Sequence, residues 1–592
     1  MTSHFLNLVF LVVLLAACSE PKRADMILIN GDIHTLDSAN TVVQAVAVQG
    51  GKFIAVGTNE TILKLKGDST LVIDAKGATV IPGLVDDHLH VIRGGLNYNL
   101  ELRWDGLTSL KRGLEMIQEQ VARTPKGEWV RVVGDWSEFQ FDERRLPTLD
   151  ELNEIASETP VIVLHLYAQA FLNKAAIKAL GYTKETLVKD GEIVLDKNGE
   201  PTGLLLAKPN ALVLYSSISK APKLSPQDQE NSSLHFFREM NRLGVTSVVD
   251  AGGGFQNYPE DYTLAKKLAQ EGKLTLRIAY YLFAQKPKQE LQDYERWTTV
   301  VKMGQNDDLM RPSGYVMSGG GENLLWSAAD FENFLLPRPD LEKAMEADLK
   351  MIIKLLVKNR WAFRIHATYD ETIVRFLNVF EEVNKEIPFN GLRWAIDHAE
   401  TVSDENLKRI KALGGGIALQ GRMAYQGEYF VNRYGAEKAK QTPPVKKIIQ
   451  LGIPVGLGTD GTRVASYHPW TAIYLFTSGK TLGGLELYPS ENRLARNEAL
   501  RLFTNGAAWF SGDDDRKGVI AKGRLADFVI LNKNYFTIPE REILQLESRL
   551  TVVNGKAVYG AGEYERFSPA LPPISPAWSP VIHYGGYQTP MK

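Results

Sequence analysis

Two histidines one residue apart close an apolar run, Ile81-Pro82-Gly83-Leu84-Val85-Asp86-Asp87-His88-Leu89-His90. Side chains alternate between the two faces of an extended strand, so His88 and His90 share a face and Leu89 takes the other. Two imidazoles placed this way suit a shared divalent metal. The plain alternative is a pair of surface histidines on an edge strand, and in a chain with only 10 histidines the pairing argues against it. His366, His398 and Asp460 each end a further apolar run. Three imidazoles and a carboxylate suit Zn²⁺ or another divalent ion with one position left for water. An ion held in this way lowers the pKa of that water and polarises a substrate carbonyl, while a carboxylate collects the proton.

These residues need a scaffold that gathers strand ends. The middle of the chain alternates strands with amphipathic helices; Leu349, Ile352, Ile353 and Leu356 give the i, i+3, i+4, i+7 stripe just before the run ending at His366. Alternation over this length predicts parallel strands in an α/β fold, a (β/α)₈ barrel spanning residues 81–510. In such a barrel catalytic groups meet at the C-terminal strand ends. Leu243–Asp250 reads as another barrel strand, and Asp250 at its end is expected to make structural hydrogen bonds. Residues of about 98–210 read as an insertion after the first strand. Its Trp104, Trp129 and Trp136 fit either a core or a lid over the active face. Residues 25–80 and 511–565 are both rich in short strands and turns and are expected to pair into one small β-sandwich domain. The tail, 566–592, is rich in proline and aromatic residues and is expected to wrap the surface.

Lys+Arg of 68 against Asp+Glu of 70 leaves a formal charge of −2 in 592 residues. There is no basic stripe, so nucleic acid is excluded as the natural partner, and nothing points to a strongly charged substrate. Phe5 to Leu15 is apolar but too short to span a bilayer as a mature helix. It runs into Leu15-Ala16-Ala17-Cys18, which resembles a bacterial lipobox, although the preceding residues offer only His4 where lysine or arginine is usual. Residues 1–18 are therefore expected to be a lipoprotein signal, with Cys18 lipidated and 19–24 a tether; a simple cleaved signal peptide is the alternative. Cys18 is the only cysteine, so a lipidated chain would have no disulfide, cysteine nucleophile or cysteine–zinc site. The expected location is the cell envelope, lipid-anchored on the periplasmic side of a bacterial membrane. Ser19 is compatible with outer-membrane sorting, and a homodimer is left open.

The motifs together resemble the amidohydrolase superfamily, and within it the YtcJ-like (amidohydrolase 3) family in its N-substituted formamide deformylase-like form. The resemblance rests on Ile81–His90, Arg364-Ile365-His366-Ala367, Ile396-Asp397-His398-Ala399-Glu400, Gly456-Leu457-Gly458-Thr459-Asp460 and Lys522–Val529. Gly134-Asp135-Trp136 and Arg144-Arg145-Leu146-Pro147-Thr148 are similar to family segments as well. It implies that His88, His90 and His366 ligate metal and that Asp460 is both ligand and general base. His398 is then either a ligand of a second metal or a donor to the substrate carbonyl.

One departure matters. Many relatives carry a metal-bridging lysine on the fourth strand, and here Met317 is read in its place. A single zinc ion is therefore expected, with Glu322 able to swing back on flexible glycines and bridge a second. His468, with Tyr467 and Trp470 on the last loop, reads either as a packed loop histidine or as part of the substrate pocket. The function implied is hydrolysis of a non-peptide C–N bond of a small molecule through a metal-activated water. A deaminase on the same scaffold and a degenerate binding lipoprotein are the competing readings.

Overall fold

A computed structural model describes residues 23–588 apart from 135, 189–190, 209–210, 255, 305–313, 331–333, 336–337, 339 and 464. Cys18, most of the expected tether and Asp135 lie outside the described residues. Among the described residues no helix is long and apolar enough to cross a membrane.

Eight parallel strands form the central sheet in sequence order: β1 Leu84–Leu89, β2 Val245–Asp250, β3 Arg277–Leu282, β4 Tyr315–Gly320, β5 Phe363–Ala367, β6 Trp394–His398, β7 Gly416–Gln420 and β8 Val455–Gly458. The ring is nearly closed, and backbone bonds cross the seam between its first and last strands. Asp460 N–H donates to His88 O (2.7 Å) and His90 N–H to Gly461 O (2.9 Å). The Asp86 carboxylate accepts from Thr459 N–H (3.0 Å) and Thr459 Oγ1 (2.6 Å), tying β1 to β8.

Strand alternation sorts the side chains into two layers. Ile365, Ile396, Leu419 and Leu457 face outward and pack with helix residues such as Leu349, Ile353 and Leu356. Val249, Ala279, Tyr281, Ala395 and Ala418 face inward and, with Phe510, make an apolar floor under the site. The predicted stripe is the buried face of helix Met345–Lys358.

Between β1 and β2 the chain builds a separate six-stranded sheet from residues 101–102 to 201–206. Trp104 and Trp136 lie in one apolar core of this insertion and Trp129 in another, so the three indoles are core residues. The two chain ends also meet. Phe528, Val529 and Ile530 pair antiparallel with Pro82, Ile81 and Val80. This sheet and a four-stranded one from residues 26–74 enclose a common core that joins Met26, Leu28 and Ile73 to Phe528, Leu550 and Val552.

Candidate metal centre

His88 lies on β1 and His90 directly after it, while Asp460 follows β8; all three are buried. His90 Nε2 is 3.2 Å from Asp460 Oδ1, and His88 Nε2 is 3.6 Å from the same oxygen. His366 on β5 and His398 at the end of β6 bring two more imidazoles to this end of the barrel, their ring centroids 4.4 Å apart. Glu322 occupies the middle: its carboxylate lies 3.1 Å from His88, 3.6 Å from His90, 3.6 Å from His398 and 3.9 Å from His366.

Glycine explains how a residue beyond the end of β4 reaches the barrel axis. A Cβ on Gly319 would meet Ala362 O at 2.0 Å, and one on Gly321 would meet Ala251 O at 2.7 Å. The stripped backbone therefore slides beneath its neighbours. Gly321 N–H donates to Leu282 O (2.6 Å), Glu322 N–H to Ala251 O (3.1 Å), and His366 N–H to Glu322 O (2.8 Å). Met317, read from sequence in the bridging position, points the other way, into the layer between strands and helices. Its parity with Tyr315 puts it on the outer face, and a bulge between Tyr280 and Tyr281 shifts the register beyond it. The backbone is left-handed at His398 (φ 78°), Ala399 (φ 52°) and Asp460 (φ 61°). Three non-glycine residues in this region mark strain held where the side chains must converge.

Each imidazole has its second nitrogen occupied, which sets the direction of the first. His90 Nδ1 donates to Gly252 O. His398 Nδ1 donates to Gln420 Oε1 (2.6 Å). His366 Nε2 faces Asp330 Oδ1 (3.1 Å), and Asp330 also accepts from the backbone N–H groups of Thr368 and Tyr369. His88 Nδ1 lies 3.1 Å from Arg364 Nη2 and 3.8 Å from Asp397 Oδ2, and Arg364 and Asp397 are themselves a buried forked pair. Arg422 bonds Glu400 (2.5 Å) and stands 3.7 Å from the second oxygen of Asp460.

Electrostatics follows from this crowding. Burial, then Arg422 and His366, push His398 down to about 3, which keeps it neutral. Burial opposes charge on Glu322, but His88, His366 and His398 outweigh it and hold the carboxyl well below its usual range. Asp460 is depressed in the same way by His90, His88, His398 and Arg422 against the cost of burial.

Two overlapping triads, His88–His90–Asp460 and His88–Glu322–His398, bring nitrogen and oxygen atoms within 4.8 Å of one another. His88 Nε2 faces two carboxylates, yet no group among the described residues makes a hydrogen bond to it. Lone pairs aimed at common points, in a nitrogen–oxygen donor set, fit a divalent cation of the zinc type.

The pocket differs from expectation. A cavity of about 570 Å³ opens between the barrel and the insertion, and a neck of about 40 Å³ lined by His90, Glu322, Arg93 and Tyr215 joins it to the metal residues. His468, Tyr467 and Trp470 line neither space. His468 is stacked on Tyr587 of the tail (3.6 Å, 3°), Tyr467 donates to Glu239 (3.2 Å), and Trp470 donates to Leu243 O (3.1 Å). Their loop turns toward the tail and helix Pro226–Arg242 rather than over the site. Asp250 accepts from Ile92 N–H (2.8 Å) and Gly252 N–H (2.9 Å), an architectural role. Sequence reasoning missed Asp330, Gln420 and Arg422 as supports. A signal existed for Arg364 and Asp397, charges embedded in apolar strands next to the histidines; the segment carrying Asp330 has no periodic pattern to read.

Comparison with known proteins gives a consistent answer. A family model described as "Amidohydrolase family" matches residues 71–559. The N-substituted formamide deformylase of Arthrobacter pascens is 26% identical over 569 residues, covering 91% of this chain and 99% of the relative. YtcJ of Bacillus subtilis (strain 168), which carries a provisional amidohydrolase name, is 26% identical over 550 residues, covering 89% and 98%. Among solved structures, an uncharacterized metal-dependent hydrolase from Pyrococcus horikoshii superposes with a TM-score of 0.62 at 21% identity, covering 87% of this chain and 99% of that one. The atrazine chlorohydrolase TrzN from Arthrobacter aurescens TC1, solved with zinc, gives 0.52 at 14% identity, covering 93% and 97%.

Proposed function

The chain belongs to the amidohydrolase family, and on that premise we propose that it is a metal-dependent hydrolase cleaving an amide-type, non-peptide C–N bond in a small molecule. The observation that carries this reading is the convergence of Glu322 and Asp460 with four imidazoles beside a cavity at the C-terminal end of the barrel. A relative named as a deformylase of N-substituted formamides supports the reaction class.

His88, His90 and Asp460 would hold one divalent ion, and His366 and His398 a second, with Glu322 reaching both. This revises the single-ion expectation: the oxygen donor that β4 itself lacks comes from Glu322. A bound ion of this kind supplies a Lewis acid that polarises the substrate carbonyl and draws the pKa of water toward neutrality. Asp460, with one oxygen on His90 and the other toward Arg422, accepts the proton from the attacking water and passes it to the departing nitrogen. Arg422 is anchored by Glu400 and fixes the orientation of that carboxylate. His398 keeps its proton on Nδ1 against Gln420 and presents a bare Nε2, which favours a ligand over a donor to the carbonyl. We read the two sheets around the shared core as a β-sandwich. We read Cys18 as a lipid attachment point on the periplasmic side of the envelope.

Elemental mass spectrometry on protein lacking residues 1–18, with a panel of N-formyl and N-acetyl amides as substrates, tests the proposal. About two metal equivalents per chain are expected, with reduced content and lost turnover in Glu322→Gln. A single equivalent in native and Glu322→Gln protein alike removes Glu322 from the metal site. No metal after reconstitution and no amide hydrolysis overturns the whole reading.

A further inference from the structure

The cavity beside the metal residues is strongly biased in charge. Five cationic side chains line it against two carboxylates, Glu101 and Asp261. Glu101 is already bonded to Arg103, and Asp261 accepts from Asn257 N–H (2.7 Å). Lys223 and Lys286 belong to the cavity wall, and Arg131 donates to Pro222 O while its Nε has no partner.

Arg93 and Arg463 form a pair. They are only 6% and 8% exposed. Nε and Nη2 of Arg93 and Nε of Arg463 make no hydrogen bond, and no carboxylate among the described residues lies within ion-pairing distance of either. Their guanidinium carbons sit 5.8 and 5.4 Å from the centre of the same ring, Tyr215. Burial and the neighbouring Arg93 push Arg463 down to about 10, a measure of how poorly its charge is compensated. A buried guanidinium without a partner is costly. Arg364 and Arg422, buried guanidiniums at the same end of the barrel, have theirs in Asp397 and Glu400.

Position adds to chemistry. Arg93 lies three residues after His90, and Arg463 three residues after Asp460. The segments that follow His90 and Asp460 thus present the two cations, Arg93 from helix Val91–Asn97, and Arg93 lines the neck together with His90 and Glu322. A molecule whose scissile bond lay at the metal residues would reach these guanidiniums with its far end.

We propose that Arg93 and Arg463, with Tyr215 between them, bind a carboxylate at the far end of the substrate, so that the enzyme's substrates are amides of carboxylic acid-bearing molecules. The planar fork of a guanidinium matches a carboxylate through two parallel hydrogen bonds, and a desolvated site strengthens both. The near-neutral net charge of the whole chain concealed this local excess.

The proposal rests on the hydrolase reading, so its test reads binding as well as turnover. On the metal-loaded protein, hexanoate is compared with hexanamide by calorimetry, and N-formyl-6-aminohexanoate with N-formyl-6-aminohexanamide by kcat/KM. The acid is expected to be favoured at least about tenfold in each pair. That preference should weaken as ionic strength rises and fall below about twofold in the Arg93→Met/Arg463→Met double variant. Arg463→Lys, which keeps the charge and loses the fork, should retain an intermediate preference and serves if the double variant does not fold. Equal binding of acid and amide by the native protein overturns the proposal. So does a preference that survives both substitutions, because the carboxylate would then be held at the metal. Absence of hydrolysis with the hexanoate preference and its arginine dependence intact would sink the reaction class and leave the anion site standing.

Discussion

The metal residues and the cavity beside them share a neck and are opposites in charge. In the first region the carboxylates of Glu322 and Asp460 are surrounded by imidazoles, so negative charge and lone pairs collect at points that a cation can satisfy. In the second, Arg93 and Arg463 are buried with no described carboxylate to meet them. Elsewhere the chain matches buried charges of its own: Arg277 forks onto Asp527, and Arg242 bonds Glu239 and Glu547. Converging donor atoms in one region and unpaired cations in the adjoining one mark the places where something from outside completes the molecule.

The strongest way to break this contrast is at Asp460. Asp460→Asn keeps the shape and removes the base, and turnover should fall on the order of 10³-fold while hexanoate binding changes little. A comparable loss of hexanoate binding would merge the two regions into one. Asp330→Asn comes next. It touches His366 and no part of the cavity, so metal affinity or turnover should fall about 10–100-fold with the preference for acids intact. Smaller still is Tyr215→Phe, which keeps the ring between the two guanidiniums and should change kcat/KM for acidic amides by only about threefold, through KM. The smallest effect on turnover is expected at Asp513, a fully matched charge. Its carboxyl is held at about 2 because Lys517 and Arg516 outweigh the cost of burial. A folded value below the unfolded one means that its contribution, roughly 2 kcal/mol, is complete above about pH 4 and is lost as the pH falls through about 2. Urea denaturation of Asp513→Asn should therefore show a deficit at pH 6 that shrinks below about pH 4 and closes only below about pH 2, with turnover at neutral pH unchanged.

These regions also differ in how far the sequence disclosed them. His88 and His90 were legible because a strand has a period of two, and the helix stripe at Leu349–Leu356 because a helix has a period of 3.6. Parallel strands in sequence order made the convergence of His366, His398 and Asp460 predictable. Glu322 was harder. Its place depends on glycines passing beneath the carbonyls of neighbouring strands, a clearance that no single position announces, and the resemblance alone then put Met317 in the vacant role. The cavity was not legible at all. Arg93 and Tyr215 lie on two short helices, Val91–Asn97 and Leu212–Ser219, and Arg463 on a loop; no periodicity within any one of them says that the three meet. His468 and its neighbours were open to a pocket reading on proximity in sequence, whereas the tail through Tyr587 claims that loop.

The seam of the barrel has a consequence for biosynthesis. His90 and Asp460 meet across it although 370 residues separate them in the chain. A polypeptide emerging from the ribosome N-terminus first carries its leading histidines unmatched until nearly four-fifths of the message has been read. No nascent or prematurely terminated chain ending before Asp460 can assemble the His88–His90–Asp460 triad. Possession of that ion site thus certifies that translation has passed Asp460 and that the ring has closed.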